Sequence, residues 1–132
     1  MTPHFLLCAE RAARTTEGTF VLHGIIERIV AKEEPTEAVP LTVPAMSVAF
    51  EIRDAELDRD RQVRVTMRHR ESGTELFNHE FQVQATNDPQ KKITGLLNFH
   101  LLPIRALGSY DVVVVVDGEE VAKNYFLVVK SV

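Results

Sequence analysis

The chain has 132 residues, 45% of them hydrophobic and 26% charged, with a net charge of −4. That length fits one domain able to bury a core without staples, and the balance is globular, not disordered. An acidic chain carries no basic excess to neutralise phosphates, which argues against nucleic acid as a partner.

Cys8 is the only cysteine, so no intrachain disulfide can form. The opening "MTPHFLLCAERAA" has no basic region ahead of its short apolar run, unlike a secretory signal. The longest uninterrupted valine run, Val112 to Val116, is far short of the roughly 20 apolar residues of a spanning helix. The expectation is a cytoplasmic protein with no membrane partner.

Strand signals dominate: short runs of β-branched and aromatic residues bounded by Gly, Asn, Asp and Pro. The first run is about His4 to Ala12. "TTEGT" turns the chain into a second, "FVLHGIIERIV", read as one strand. Residues 31–44 hold Pro35, Pro40 and Pro44 and read as a long loop. In "AMSVAFEI", Met46, Val48, Phe50 and Ile52 alternate against Ser47, Ala49 and Glu51, as in a half-buried strand. "RDAELDRDRQ" is a charged connection with room for one helical turn.

"VRVTMRHR" alternates Val63, Val65 and Met67 against Arg64, Thr66 and Arg68. "ESGTE" supplies a hairpin turn at Ser72-Gly73. "LFNHEFQVQA" returns with Phe77, Phe81 and Val83 on one face. After the loop "TNDPQKK", "ITGLLNFHLLPI" is a strand ended by Pro103. In "GSYDVVVVVDGEEVAKNYFLVV", Tyr110, Val112, Val114 and Val116 share one face. Asp117-Gly118 is a two-residue turn, since both residues tolerate positive φ.

Eight such strands with no long amphipathic helix predict an all-β fold: a two-sheet antiparallel β-sandwich, immunoglobulin-like or similar. Gly108-x-Tyr110, opening a strand after "LLPIRAL", fits a tyrosine corner, in which the phenol bonds a backbone group where the chain changes sheets. It equally fits an ordinary buried tyrosine.

Two stretches, "PHFLLCAERAARTTEGTFVLHGIIERI" and "FHLLPIRALGSYDVVVVVDG", together resemble a small bacterial family catalogued only as a domain of unknown function. The resemblance rests on Cys8, Gly18, Leu22 to Gly24, Leu102-Pro103, Gly108 to Tyr110 and Asp117-Gly118. It spans nearly the whole chain. Its motifs are structural punctuation, so it implies no activity and carries over no catalytic residue.

The five histidines show no H-x-H or H-x-x-x-H spacing. His69 and His79 end up near one another if their strands pair, and Asp54, Asp58 and Asp60 share one loop. A metal or ligand site is conceivable at either place. Hydrogen-bonded structural roles are favoured, and Arg59 and Arg61 dilute the field of the aspartates. No G-x-S-x-G elbow, phosphate loop or activated cysteine is present. No cofactor, metal or catalytic residue is expected, and the chain does not read as an enzyme.

Several strands are apolar on both faces. Leu6, Val21, Ile25, Val113 and Val115 are expected to point outward from a sheet shared by the N- and C-terminal strands. An exposed apolar face marks an interface, so the leading expectation is a non-enzymatic module that forms a homo-oligomer or binds a protein partner. The competing arrangement has residues 31–44 folded over that face. The alternative function is small-ligand or metal binding by loops at one end of the sandwich.

Overall fold

The computed structural model describes residues 1–132 and contains nine strands and no helix. They are β1 (Thr2–Arg14), β2 (Phe20–Ile25), β3 (Arg28–Ala31), β4 (Leu41–Arg53), β5 (Arg61–His69), β6 (Glu75–Val83), β7 (Ile93–Ile104), β8 (Gly108–Val116) and β9 (Glu119–Lys130). Two sheets form, in the orders β2-β1-β4-β7 and β3-β9-β8-β5-β6. The placement of β1, β4 and β7 in one sheet and of β5, β8 and β9 in the other follows the immunoglobulin arrangement, with β6 as an added strand outside β5.

The alternating residues fill one core between the sheets. Val63, Val65, Met67, Val112, Val114 and Phe126 come from the five-stranded sheet; Met46, Val48, Phe50, Ile52 and Ile93 come from the four-stranded sheet. All are essentially inaccessible to water. The valine run divides as its alternation requires: Val112, Val114 and Val116 face inward, while Val113 and Val115 are half-buried on the outside. Asp117 and Gly118 both take positive φ and close the hairpin between β8 and β9.

The second run is two strands, not one. β2 pairs antiparallel with β1, whereas β3 joins the other sheet, parallel to β9. Ile26 still donates its N–H to the Cys8 carbonyl, while the carbonyl of the next residue, Glu27, accepts from Leu127. The switch between sheets therefore falls between adjacent residues, and "GIIERIV" supplies apolar side chains to both sheets. Ninth-strand count and the one parallel pair both follow from this break.

Pro44 lies inside β4, not in the preceding loop, and Pro103 lies inside β7. β4 has left β1 by Pro44, because their pairing ends at Ala9↔Ser47. β7 is a sheet edge, where a proline removes no ladder bond. The connection from Asp54 to Asp60 forms no helical turn; it tucks Ala55 and Leu57 into the end of the core instead. Tyr110 makes the tyrosine corner: its hydroxyl donates to the Ala106 carbonyl at 2.7 Å as β8 begins.

Candidate interaction surfaces

The outer face of the four-stranded sheet carries small residues at its centre, and they are covered. Ala9 and Ala49 have no exposed surface and Ser47 almost none. The cover is the chain's own β1–β2 hairpin. In the ladder Phe20 pairs with Arg14, which lies nine residues, or about 30 Å of extended strand, from Phe5. Yet the Phe5 and Phe20 rings are 5.5 Å apart, edge to face. The hairpin therefore curls back over its own sheet once β1 parts from β4 at Ala9. Phe20 and Leu22 come down beside Phe5, Leu7 and Glu51. Small side chains in the sheet are what permit so close an approach. Residues 32–40 lie elsewhere, where Arg105 donates to the Glu37 carbonyl at 2.6 Å.

The outer face of the five-stranded sheet is open and divided. Over β5, β6 and β8 it is a lattice of charge: Arg64 with Glu80, Arg68 with Glu75, and Arg70 with Asp111. Val113 and Val115 sit within that lattice, next to Arg64, Arg68, Glu120 and Lys123. The Arg70 hydrogen bonds hold the Asp111 carboxyl below its usual range, with help from the nearby Lys123 and Arg68 charges. Toward β9 and β3 the same face turns mostly apolar, broken by exposed Arg28 beside Leu127. Tyr125 is 53% exposed and Val30 56% exposed, and half-buried Leu127 and Val129 lie between them in the ladder. The Arg70 guanidinium lies 5.0 Å from the Tyr125 ring centre, linking the charged and apolar halves.

The polar residues singled out in the sequence have structural tasks. His69 is buried, with Nδ1 at 2.7 Å from the Ser72 hydroxyl and Nε2 at 2.8 Å from the Leu107 carbonyl. It fixes the hairpin turn to the corner that holds Tyr110. His79 is exposed and pairs with Val65, four ladder positions from His69, so the two histidines are not neighbours. The aspartates also diverge. Asp60 accepts from the Ala85 N–H at 2.8 Å and from Gln82, Asp58 lies 3.8 Å from Arg61, and Asp54 takes φ +55° at the strand end. Arg61, almost fully buried, bonds the Glu56 carbonyl and Asp117, tying two loops together. Cys8 is buried, and burial pushes its thiol up to about 12.

A family model described as a family of unknown function, DUF6941, matches residues 4–129. The chain belongs to that family. No curated protein matches it. Among solved structures it is similar to the Pseudomonas fluorescens alkylpurine DNA glycosylase AlkC bound to DNA containing an abasic site analog, at 13% identity and TM-score 0.48, covering 93% of this chain and 30% of that one. It is also similar to the Listeria innocua β-glucosidase in complex with isofagomine, at 10% identity and TM-score 0.45, covering 95% and 16%. A third is an immunoglobulin-like protein from Pseudomonas aeruginosa, at 10% identity and TM-score 0.39, covering 92% and 90%. The chain thus spans under a third of the length of the first two.

Within this family fold, two expectations about the outward residues need correction. Leu6 points into the core at 6% exposure, because it pairs with core Phe50, while Phe5 and Leu7, opposite Glu51 and Ala49, take the outer face. Val21 and Ile25 are exposed, but on the four-stranded sheet, whereas Val113 and Val115 belong to the five-stranded one. The N- and C-terminal strands share no sheet, so these residues cannot form one face. The competing arrangement, residues 31–44 folded over that face, loses its premise as well, since the two terminal strands share no sheet and residues 41–44 belong to β4. What sequence reasoning missed is the strip of Val30, Tyr125, Leu127 and Val129. Its signal was present in the two-sided pattern of the last strand, but the parallel pairing that adds Val30 joins residues far apart in sequence.

Proposed function

We propose that this family-of-unknown-function domain is a non-enzymatic interaction module. It binds protein, either a second copy or a foreign partner, through the apolar strip on its five-stranded sheet. The observation that carries this reading is the exposure of Tyr125 and Val30 around Leu127 and Val129 on a rigid sheet face. An aromatic anchor beside arginine is the residue chemistry that dominates binding energy at interfaces. Arg70, already over the Tyr125 ring, supplies that arginine.

The test is site-specific photo-crosslinking in cells that naturally make the protein. A benzophenone amino acid replaces Tyr125, and a control carries it at Glu17 on the exposed hairpin tip. The reading predicts a discrete adduct from position 125 that the control lacks. The adduct mass tells a second copy from another protein. No adduct at 125, or the same products from both positions, sinks it.

A further inference from the structure

Four strand edges are open, and three of them carry features that discourage pairing. β3 is four residues long. β2 is kinked by Gly24 at φ +68°. β7 contains Pro103 and a left-handed Leu101 at φ +56°. Short edges, prolines and kinks are how proteins block edge-to-edge association. β6 has none of these. It runs for nine residues without proline, glycine or lysine, and its ladder to β5 is regular from Arg61↔Val83 to Met67↔Phe77.

Which backbone groups face outward from β6 follows from β5. The Gln62 carbonyl and the Arg70 N–H bond toward β8, while the His69 N–H bonds toward Thr74 on the β6 side. Alternation then turns Val63, Val65 and Met67 toward β6, and their partners Phe81, His79 and Phe77 toward β5. The free N–H and C=O groups of β6 are therefore those of Leu76, Asn78, Glu80 and Gln82.

The geometry points to pairing of β6 with β6 of a second copy, antiparallel about a two-fold axis at His79. This goes beyond the strip reading: it is a second contact, on the opposite edge of the same sheet. His79 is the midpoint of Glu75–Val83, so this register uses the full strand and pairs all four free residues: Asn78 with Glu80 of the second copy, and Leu76 with Gln82. Phe77 then meets Phe81, and Glu75 meets Val83. No like charges oppose one another. A shift by two toward the strand end sets Glu80 against Glu80, which is unfavourable. Self-complementarity of this kind is what an isologous contact requires.

The axis brings two imidazoles together as a non-hydrogen-bonded pair, the closer of the two antiparallel spacings. Val63, Val65, Met67, Phe77 and Phe81 surround His79 on its face, and the β7 residues packed opposite, Ile93, Gly95, Leu97 and Phe99, are uncharged. Arg64 and Glu80, the adjacent ladder pair, face each other on the other side of the sheet.

Sedimentation velocity on the intact protein over a range of concentrations reads the outcome. A dimer is expected. Asn78→Pro removes an outward N–H and no ladder bond, so it leaves the far-UV spectrum unchanged and abolishes the dimer. His79→Cys oxidises to a covalent dimer, while Asn78→Cys, out of register with itself, does not. Buried Cys8 takes no part. A monomer at every concentration overturns the proposal, as does a dimer in which His79→Cys fails to cross-link. These outcomes are separate from the strip: Tyr125 lies three strands from β6, so its adduct persists or vanishes independently.

Discussion

Gly95 sits opposite Phe50 in the β4–β7 ladder, and the Phe50 ring covers it. A methyl group added there by Gly95→Ala overlaps Cε1 and Cζ of that ring. Phe50 has no exposed surface and packs near Phe81 at 6.4 Å between ring centres, so the ring has no free space to enter. Overpacking of this kind costs about 1–3 kcal/mol. Against it stands the gain from restricting the unfolded chain, about 0.5–1 kcal/mol for glycine to alanine. The backbone at Gly95 has no positive φ to strain. The clash therefore wins, and Gly95→Ala lowers stability by about 1–2 kcal/mol. Urea titration followed by circular dichroism measures this, since the chain has no tryptophan. Phe50→Leu is destabilising alone by about 1–2 kcal/mol, because it thins the core. In that background the colliding ring atoms are gone, and Gly95→Ala becomes neutral or slightly stabilising. A coupling of about 1–2 kcal/mol is expected between the two sites, within the range for residues in contact. Equal losses in both backgrounds refute the steric account.

Cys8 stays unreactive toward iodoacetamide in the native protein near neutral pH, because burial both shields the thiol and pushes it up to about 12; it reacts once urea unfolds the chain. Fast native alkylation means that β1 opens locally. The Asp111 carboxyl is held below its usual range in the folded protein, first by its hydrogen bonds to Arg70. Its contribution is therefore complete above the ordinary aspartate value of about 4 and disappears as pH falls through the depressed folded value. Thermal melts of the unmodified protein and Asp111→Asn should differ at neutral pH and converge in strong acid. A difference that grows in acid contradicts that assignment.

Local chemistry made much of the fold legible in the sequence. The two-residue Asp117-Gly118 turn and the Ser72-Gly73 turn need particular residues at particular positions, so those residues announce them, whereas Gly108-x-Tyr110 fits a tyrosine corner and an ordinary buried tyrosine equally until the Tyr110–Ala106 hydrogen bond decides between them. Period-two alternation placed Val63, Val65, Met67 and the inward valines correctly, because side-chain direction in a strand depends on the backbone alone. The interaction surfaces were legible only in part. The outward set of Val113 and Val115 followed from alternation, but Leu6 did not, since β1 is apolar on both faces and only its pairing with Phe50 of β4 decides which face turns inward.

The sequence by itself determined most of the strands and turns, the two-sheet class and the residues of most of the core, all of which follow from contacts within or between adjacent segments. Only the tertiary structure decided which strands share a sheet, that the chain breaks between Ile26 and Glu27 to serve both, and that the first hairpin covers a face which composition alone leaves bare. These depend on pairings between distant residues, such as Val30 with Val129 and Phe5 with Phe20. An apolar side chain records that it must be buried but not against what; that choice is made by the collective closing of the sandwich, where each strand takes the neighbour that leaves the fewest backbone groups unpaired and the least apolar surface in water.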